Sequence, residues 1–491
     1  MIRNTSATLC MVLATLAFTS AAHAHPFAPS YNLPVPFWMY AGGSLAALLL
    51  SFFAVAWFAR ARNPEPRVVD LTHTRFARVL VGRTTIAMLG VISLLGLLLC
   101  IATGLLGTRS AAFNFNMTFF WIVFVIGFTY VSALIGPLYA QINPWKLIVT
   151  ALANTGLSTF EGRFAYPARL GCWPALVLYA AFIAMELFGR VDPRALGVML
   201  LGYTVLNIVG AWLFGMSAWF ERCEFFGLFF SLVSRMAPLQ VVAPSPQAPR
   251  GGLKLQMPFA GLLQARAVSL GEVLFVLFML SSTAFDGLQA TQVWARLFWE
   301  DFAALLAPWI GDNIVQTYPL LKPMFLGYQV ASLLLSPFVY LLAYLATLAW
   351  MKRIARSEFS VRELACRFAY SLLPIALVYH ATHYWTLILT QGLMVLRLAS
   401  DPFGIGWNLF GTALWLHRPV IPGMDWVWHT QVGLILIGHV ASVVVAHREA
   451  LRVFDTPRTA ALSQLPMLAL MLAFTVFGLW ILAQPITSNG P

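Results

Sequence analysis

Residues 84–106 read TTIAMLGVISLLGLLLCIATGLL and contain no charged side chain. A helix needs roughly 20 apolar residues to cross the hydrocarbon core of a bilayer. Within lipid, every backbone N–H and C=O group must also be paired inside the segment, which favours an α-helix. The stretch therefore predicts a membrane-spanning helix.

Nine further stretches have the same character. A window of about 19 residues finds ten in all: 36–59, 84–106, 116–138, 171–189, 195–217, 268–287, 325–349, 367–394, 427–447 and 461–483. Only 10% of the 491 residues are charged and 60% are hydrophobic, whereas a soluble domain carries roughly 25% charged residues. These figures exclude a soluble globular protein and predict an all-α, polytopic transmembrane helix bundle of about ten spans.

The first 24 residues have the pattern of a secretory signal peptide. Arg3 supplies the positive charge, residues 9–18 form the short apolar core, and Ala22-His23-Ala24 is an A-x-A cleavage site. Cleavage after Ala24 makes His25 the first mature residue and leaves 25–491 as a single integral membrane domain. Ten spans then place both ends of the mature chain in the periplasm.

The basic residues test this orientation, because Lys and Arg near span ends are retained on the cytoplasmic side. Twenty-two of the 30 lie in loops that the ten-span prediction places inside, seven lie in outside loops, and Arg3 lies in the signal. The net charge of +12 is spread over separate short loops, which argues against a nucleic-acid-binding stripe. The chain is therefore expected in the bacterial inner membrane, with both ends outside.

Two cytoplasmic segments are predicted between spans. Residues 219–234 mix six aromatic side chains with charged ones and predict an amphipathic helix lying on the cytoplasmic surface. Residues 237–256 contain four prolines and two glycines and predict an irregular loop.

Ionisable side chains inside spans are few, and each costs on the order of 3 kcal/mol to insert. Under the predicted topology most of them share one depth, the periplasmic third of the bilayer. The group consists of Glu186, Asp286, His380, His383, His429 and the mature N-terminal His25.

His380 and His383 are three residues apart and are expected to share one helix face. Together with Asp286 or Glu186 they predict a site for a divalent metal ion, zinc or similar, that keeps an open position for water. Gln391, about three turns after His380, is expected on the same face. The alternative is that these imidazoles make hydrogen bonds between packed helices.

Two further histidines are weighed separately. The amine and imidazole of an N-terminal His25 form a candidate copper chelate, and the alternative is a solvated terminus. His439 lies near the middle of its span and is expected in the core, with Ser442 or Gln391 as partner.

Several motifs of the mature chain resemble a family of bacterial integral membrane proteins known as fenitrothion hydrolases. The resemblance covers most of the chain and keeps the motif order. It rests on the span of His380 and His383 and on these segments: His25-Pro26, Leu33-Pro34-Val35-Pro36-Phe37-Trp38, Gly136-Pro137, Ile142-Asn143-Pro144-Trp145, Leu170-Gly171-Cys172-Trp173-Pro174, Ser282-Thr283-Ala284-Phe285-Asp286-Gly287-Leu288, Val432-Gly433, Gly438-His439-Val440 and Ser463-Gln464-Leu465-Pro466-Met467.

The resemblance implies hydrolysis of an organophosphorus triester, and it carries over no catalytic residues. The resulting hypothesis is a phosphotriester hydrolase whose apolar substrate arrives from the bilayer. The metal on His380 and His383 would supply hydroxide, and Asp286, Glu186 or His429 would relay the proton. The need for a partner subunit stays open.

Three rival functions stay open as well: a transporter, a membrane cytochrome and a copper-handling protein built around His25. In a proton- or metal-ion-coupled transporter, Glu186, Asp286 and the histidines would line an ion pathway that reaches both faces. In a membrane cytochrome, His380 and His439 on adjacent spans would be the axial haem ligands.

Overall fold

The computed structural model describes residues 36–58, 68–156, 159–242, 252–311, 313–415 and 422–484. The predicted signal peptide and His25 lie outside these ranges. The N-terminal copper chelate therefore stays a prediction.

The described chain is built from helices with one small sheet. The α-helices are α1 (Phe37–Phe58), α2 (Arg75–Leu80), α3 (Arg83–Leu106), α4 (Phe115–Ile135), α5 (Tyr139–Ile142), α6 (Pro144–Asn154), α7 (Trp173–Phe188), α8 (Pro193–Phe214), α9 (Met216–Arg222), α10 (Phe225–Ser234), α11 (Leu270–Gln289), α12 (Gln292–Arg296), α13 (Ala303–Ile310), α14 (Ile314–Ala355), α15 (Val361–Phe368), α16 (Leu373–Leu387), α17 (Met394–Ser400), α18 (Met424–Val453), α19 (Pro457–Ser463) and α20 (Leu465–Ala483). The strands are β1 (Val69–Asp70), β2 (Leu239–Val242) and β3 (Gly252–Leu255).

The predicted membrane bundle is confirmed at this level. Within the described ranges, nine helical stretches are long and apolar enough to cross a bilayer, and each coincides with one of the ten predicted spans. The remaining prediction, 171–189, corresponds to α7, whose 16 residues extend roughly 24 Å. The chain is thus a membrane protein with an all-helical core.

Helix α11 lies at the centre of this bundle. Its apolar window is 83% buried inside the protein, whereas the corresponding windows of α3 and α14 are only 22% and 17% buried. Helices α7, α14 and α16 pack around α11. Since α11 carries Asp286 near its end, that carboxylate is surrounded by protein and not by lipid.

The predicted surface helix over residues 219–234 is wrong. The segment forms two short helices, α9 and α10, and Phe225, Phe226, Phe229 and Phe230 are all at most 9% exposed. The Phe226 ring packs edge-on against other aromatic rings, including Phe124 at 5.0 Å between centroids. Aromatic residues lie on both sides of α10, so most of the helix lies in the bundle interior, with Ser231 exposed.

Glu224, between α9 and α10, explains how this short helix is held inside. Its carboxylate is fully buried and accepts hydrogen bonds from four donors: Asn143 Nδ2 at 3.0 Å, the Tyr203 hydroxyl at 2.7 Å, the Phe226 N–H at 3.1 Å and the Gly227 N–H at 2.7 Å. Two of these bonds cap the N-terminus of α10. The other two tie it to the start of α6 and to the midpoint of α8.

The predicted irregular loop over 237–256 is also wrong at both ends. Strands β2 and β3 pair in antiparallel fashion with Val241 opposite Leu253, and β1 pairs with the other edge of β3. Val241 and Leu253 form a small core with Ala77 of α2. The prolines of 244–249 lie between the strands, outside the described residues, and therefore do not interrupt the pairing.

Glu224→Ala is expected to lower the free energy of unfolding by roughly 2–4 kcal/mol, because it removes a helix cap and leaves buried donors unpaired. The measurement is thermal unfolding of the purified protein in one detergent. Glu221→Ala is the matched control, since Glu221 is exposed three residues earlier. Equal melting temperatures for the two variants would contradict this role of Glu224.

Candidate functional site

A small cavity lies among α4, α7, α10, α11 and α16. Its volume is about 50 Å³, which is room for roughly three to five water molecules. Its wall is mainly aromatic and includes Trp121, Tyr179, Phe182, Phe225, Phe226, Phe229, Phe230 and Tyr384. The ionisable groups in the wall are Glu186, Asp286 and His380 together with the two tyrosines, and none of the described lining residues is Lys or Arg.

Asp286 is the best-connected polar group of this cavity. It is 2% exposed, and its Oδ2 atom lies 2.7 Å from Nε2 of His383. The Tyr384 hydroxyl donates to the same oxygen at 2.8 Å, and Gln289 Nε2 donates to Oδ1 at 3.2 Å. Helices α11 and α16 are therefore joined by one buried carboxylate and a histidine that neutralises it when protonated.

His380 lies one turn before His383 but has different partners. Its Nδ1 atom is 3.2 Å from the hydroxyl of Tyr130 on α4, and its ring packs against Tyr384 with centroids 4.9 Å apart. His380 lines the cavity, whereas His383 lies behind Asp286. The two imidazoles thus share a helix face, as predicted, without converging on one point.

Glu186 of α7 lies in the wall of the same cavity, but its carboxylate has no hydrogen-bond or ion-pair partner among the described residues. Glu186, Asp286 and His380 therefore line one cavity together. Of the two carboxylates there, only Asp286 has a basic partner.

Two helices around the cavity depart from regular α-geometry. Thr118–Gly127 within α4 and Ile388–Gly392 after α16 are wound as wider, π-helical turns, and the two segments contact each other. Such turns are rare and are frequent at functional sites. Gln391 lies within the second of these segments and is not among the described residues that line the cavity. Its place on the same helix face as His380 stays a prediction.

The structure does not bring His429 to this site. Its side chain is exposed on α18, with Nδ1 2.6 Å from the Asp425 carbonyl oxygen, and it lies edge-on to Tyr40 of α1. His429 therefore lies away from the cavity, and its predicted depth in the membrane stays a prediction.

His439 is fully buried, as expected, but its predicted partners are wrong. Its Nδ1 atom lies 2.8 Å from the Ile435 carbonyl oxygen, and Ser442 donates instead to the Ser371 carbonyl at 2.5 Å. Beside it, a Cβ atom at Gly438 would lie 2.3 Å from a methyl group of Val378. Helices α16 and α18 are therefore in close contact at this position, and haem ligation by His380 and His439 stays a prediction.

The residues of the site do not fit the predicted metal centre. Within the described part of the chain, no three His, Cys, Asp or Glu side chains form a group that could hold a metal ion. The Oδ2 atom of Asp286 and Nε2 of His383 face each other, while Nδ1 of His380 faces a tyrosine. The arrangement instead provides a chain of proton donors and acceptors beside a cavity with room for a few water molecules.

Comparisons with models of known protein families, with curated proteins and with solved structures found no match to this chain. The function is therefore argued from the geometry. Tyr130, Gln289 and Tyr384 are parts of the site that the sequence interpretation did not include. A signal existed for Gln289, three residues after Asp286 on the same helix, and for Tyr384, which adjoins His383.

Gly438→Ala is expected to lower the free energy of unfolding by roughly 1–3 kcal/mol, because the added methyl group must push α18 away from α16. Thermal unfolding of the purified protein measures this. Gly433→Ala, on the same helix, is the control, since no described atom lies within 4 Å of its added Cβ. If Gly438→Ala were as stable as Gly433→Ala, the close packing of α16 against α18 at Gly438 would be disproved.

Proposed function

We propose that this protein is a proton-coupled transporter of the inner membrane, whose substrate cavity faces the periplasm and whose proton-binding group is Glu186. The observation that supports this most is the difference between the two carboxylates. Asp286 lies against His383, whereas Glu186 lines the same cavity with no partner among the described residues.

An uncompensated charge inside a bilayer is costly, by roughly 3 kcal/mol on insertion scales. The Glu186 carboxyl group therefore has two stable states: it is protonated, or it is ionised and paired with a cation that enters the cavity. Exchange between these two states is the elementary step of proton-coupled transport. Asp286 differs, because its Oδ2 atom already has a partner in Nε2 of His383 at 2.7 Å.

The groups that face Glu186 define what else titrates with it. They are Asp286 of α11, His380 and Tyr384 of α16, and Tyr179 of its own helix, while the lining residues of α4 and α10 are not ionisable. Water in the cavity can carry a proton between Glu186 and Asp286. His383, behind Asp286, would then pass it on toward the predicted periplasmic end.

The helices around the cavity also favour a transporter. Transporter binding sites are commonly formed by interrupted helices near the middle of the membrane. Helix α10 has only 10 residues and begins inside the bundle at Glu224, and α4 and α16 each adjoin a π-helical turn at the cavity. Phe226, Phe229 and Phe230 form the cavity wall on the α10 side. A wall of this kind is expected in a transporter whose substrate path is blocked on one side of the membrane.

Glu186→Gln is expected to remove a protonated carboxylic acid from the protein, because the amide cannot take up the proton. Infrared difference spectra between acidic and alkaline buffer measure this through the carboxylic C=O band. Glu161→Gln is the matched control, since Glu161 is exposed. If the band were as strong in Glu186→Gln as in the unchanged protein, Glu186 would not be the proton-binding group.

A second candidate is the organophosphorus triester hydrolase that the sequence resemblance implies. It is supported by a cavity of water-molecule dimensions between two carboxylates, either of which could act as general base. Without a metal, Glu186 would activate the water, and the Tyr384 hydroxyl would be placed to donate to the product. A triester needs a pocket of roughly 300 Å³ or more, so this reaction requires the cavity to open toward the bilayer.

For the hydrolase, Glu186→Gln is expected to lower turnover of fenitrothion by roughly 10²- to 10⁴-fold, because the general base is lost. Release of the nitrophenol by purified protein in lipid nanodiscs, followed by absorbance, is the measurement. A chelator should leave the rate unchanged, since the described residues do not group as a metal site. No nitrophenol release by the unchanged protein would rule out this candidate.

A further inference from the structure

We propose that the solute bound in the cavity is a small organic monocation, an alkylammonium ion of about two to five heavy atoms. This inference rests on the transporter function proposed above and names its substrate class. It follows from three properties of the cavity wall: its charge, its aromatic rings and its volume.

The charge of the wall selects a cation. Its acidic groups are Glu186 and Asp286, and no Lys or Arg is found among the described lining residues. Asp286 has a basic partner in His383 at 2.7 Å, which leaves Glu186 as the lining carboxylate whose charge has no partner among the described residues. A monovalent cation balances it, whereas a phosphate, sulfate or carboxylate would face two carboxylates with no bidentate donor.

The rings of the wall select an organic cation. Phe182, Phe226 and Trp121 are among eight aromatic residues that line the cavity, and the faces of such rings attract cations that have lost their water. An inorganic cation would need several oxygen ligands to replace its hydration shell. An alkylammonium ion instead presents methyl or methylene groups to the rings and one charge to Glu186.

The volume sets the upper size. A cavity of about 50 Å³ accommodates roughly three to five atoms the size of a water molecule. Methylammonium and tetramethylammonium are within this range, whereas sugars and most amino acids exceed it. A sugar would also need many more hydrogen-bonding groups than this wall provides.

The test is binding of radiolabelled methylammonium to the full chain in lipid nanodiscs at pH 8. Tetramethylammonium is expected to compete, and tert-butanol, which has the same number of heavy atoms and no charge, is not. Glu186→Gln is expected to abolish binding. Because a proton and the cation exclude each other at Glu186, the apparent Kd should rise about tenfold per pH unit under acidic conditions.

A ring variant tests the aromatic contribution. Phe182→Leu keeps an apolar side chain and is expected to weaken binding by roughly 2- to 30-fold, whereas Phe182→Tyr should bind nearly as well as the unchanged protein. Phe58→Leu is the matched control, since Phe58 is 83% exposed and is not among the residues that line the cavity.

Equal competition by tert-butanol and tetramethylammonium, or unchanged binding in both Glu186→Gln and Phe182→Leu, would overturn the substrate class. No methylammonium binding at all would overturn it too. If the Glu186 infrared band were nevertheless present, the proton-binding role of Glu186 would stand while the organic cation is rejected. If the spectrum of the unchanged protein contained no band that Glu186→Gln removes, the transporter proposal itself would be rejected.

Discussion

A carboxylate that is removed from water inside a bilayer must be compensated, and three such groups organise this protein. Glu224 is compensated by four hydrogen-bond donors, and Asp286 by an imidazole, a phenol and an amide. Glu186 has no such partner among the described residues. Glu224 and Asp286 therefore have a structural role, since their hydrogen bonds hold in place the helices that supply the donors. Glu186 is left as the group whose charge depends on what enters the cavity.

The compensated carboxylates also determine the shape of the cavity. Glu224 holds the start of α10 against the midpoint of α8, and this presents Phe225, Phe226, Phe229 and Phe230 to the cavity. Asp286 joins α11 to α16 through His383 and Tyr384, so that His380, one turn earlier, faces α4 and Tyr130. A buried hydrogen-bond network of this kind specifies one arrangement, because each alternative leaves a polar group unpaired in low dielectric. The position of Glu186 follows from the packing of α7 against α10 and α11.

The sequence predicts well whatever depends on hydrophobicity summed over a whole span. Nine predicted spans are long helices, and Glu186, Asp286 and His380, for which counting residues along each span predicts one depth, line one cavity together. It predicts poorly what depends on contacts between spans. Residues 219–234 have an amphipathic composition that does not distinguish a membrane surface from an aromatic bundle interior. The side to which His429 turns, the π-helical turn that contains Gln391 and the partner of His439 all follow from helix packing, which no single span encodes.

The size of the cavity bears on which function the protein performs. A substrate as large as a triester requires the walls to separate, and the wall formed by α10 is the least free to move, since displacement would break the bonds to Glu224. The wall formed by α4 and α16 is different. One π-helical segment lies within α4, another follows α16, and these two segments contact each other. A π-helical turn contains an extra residue that a shift in winding can absorb without loss of helical length. Access is therefore expected between α4 and α16, where Tyr130 and His380 meet, and a small cation needs a much smaller opening there than a triester does.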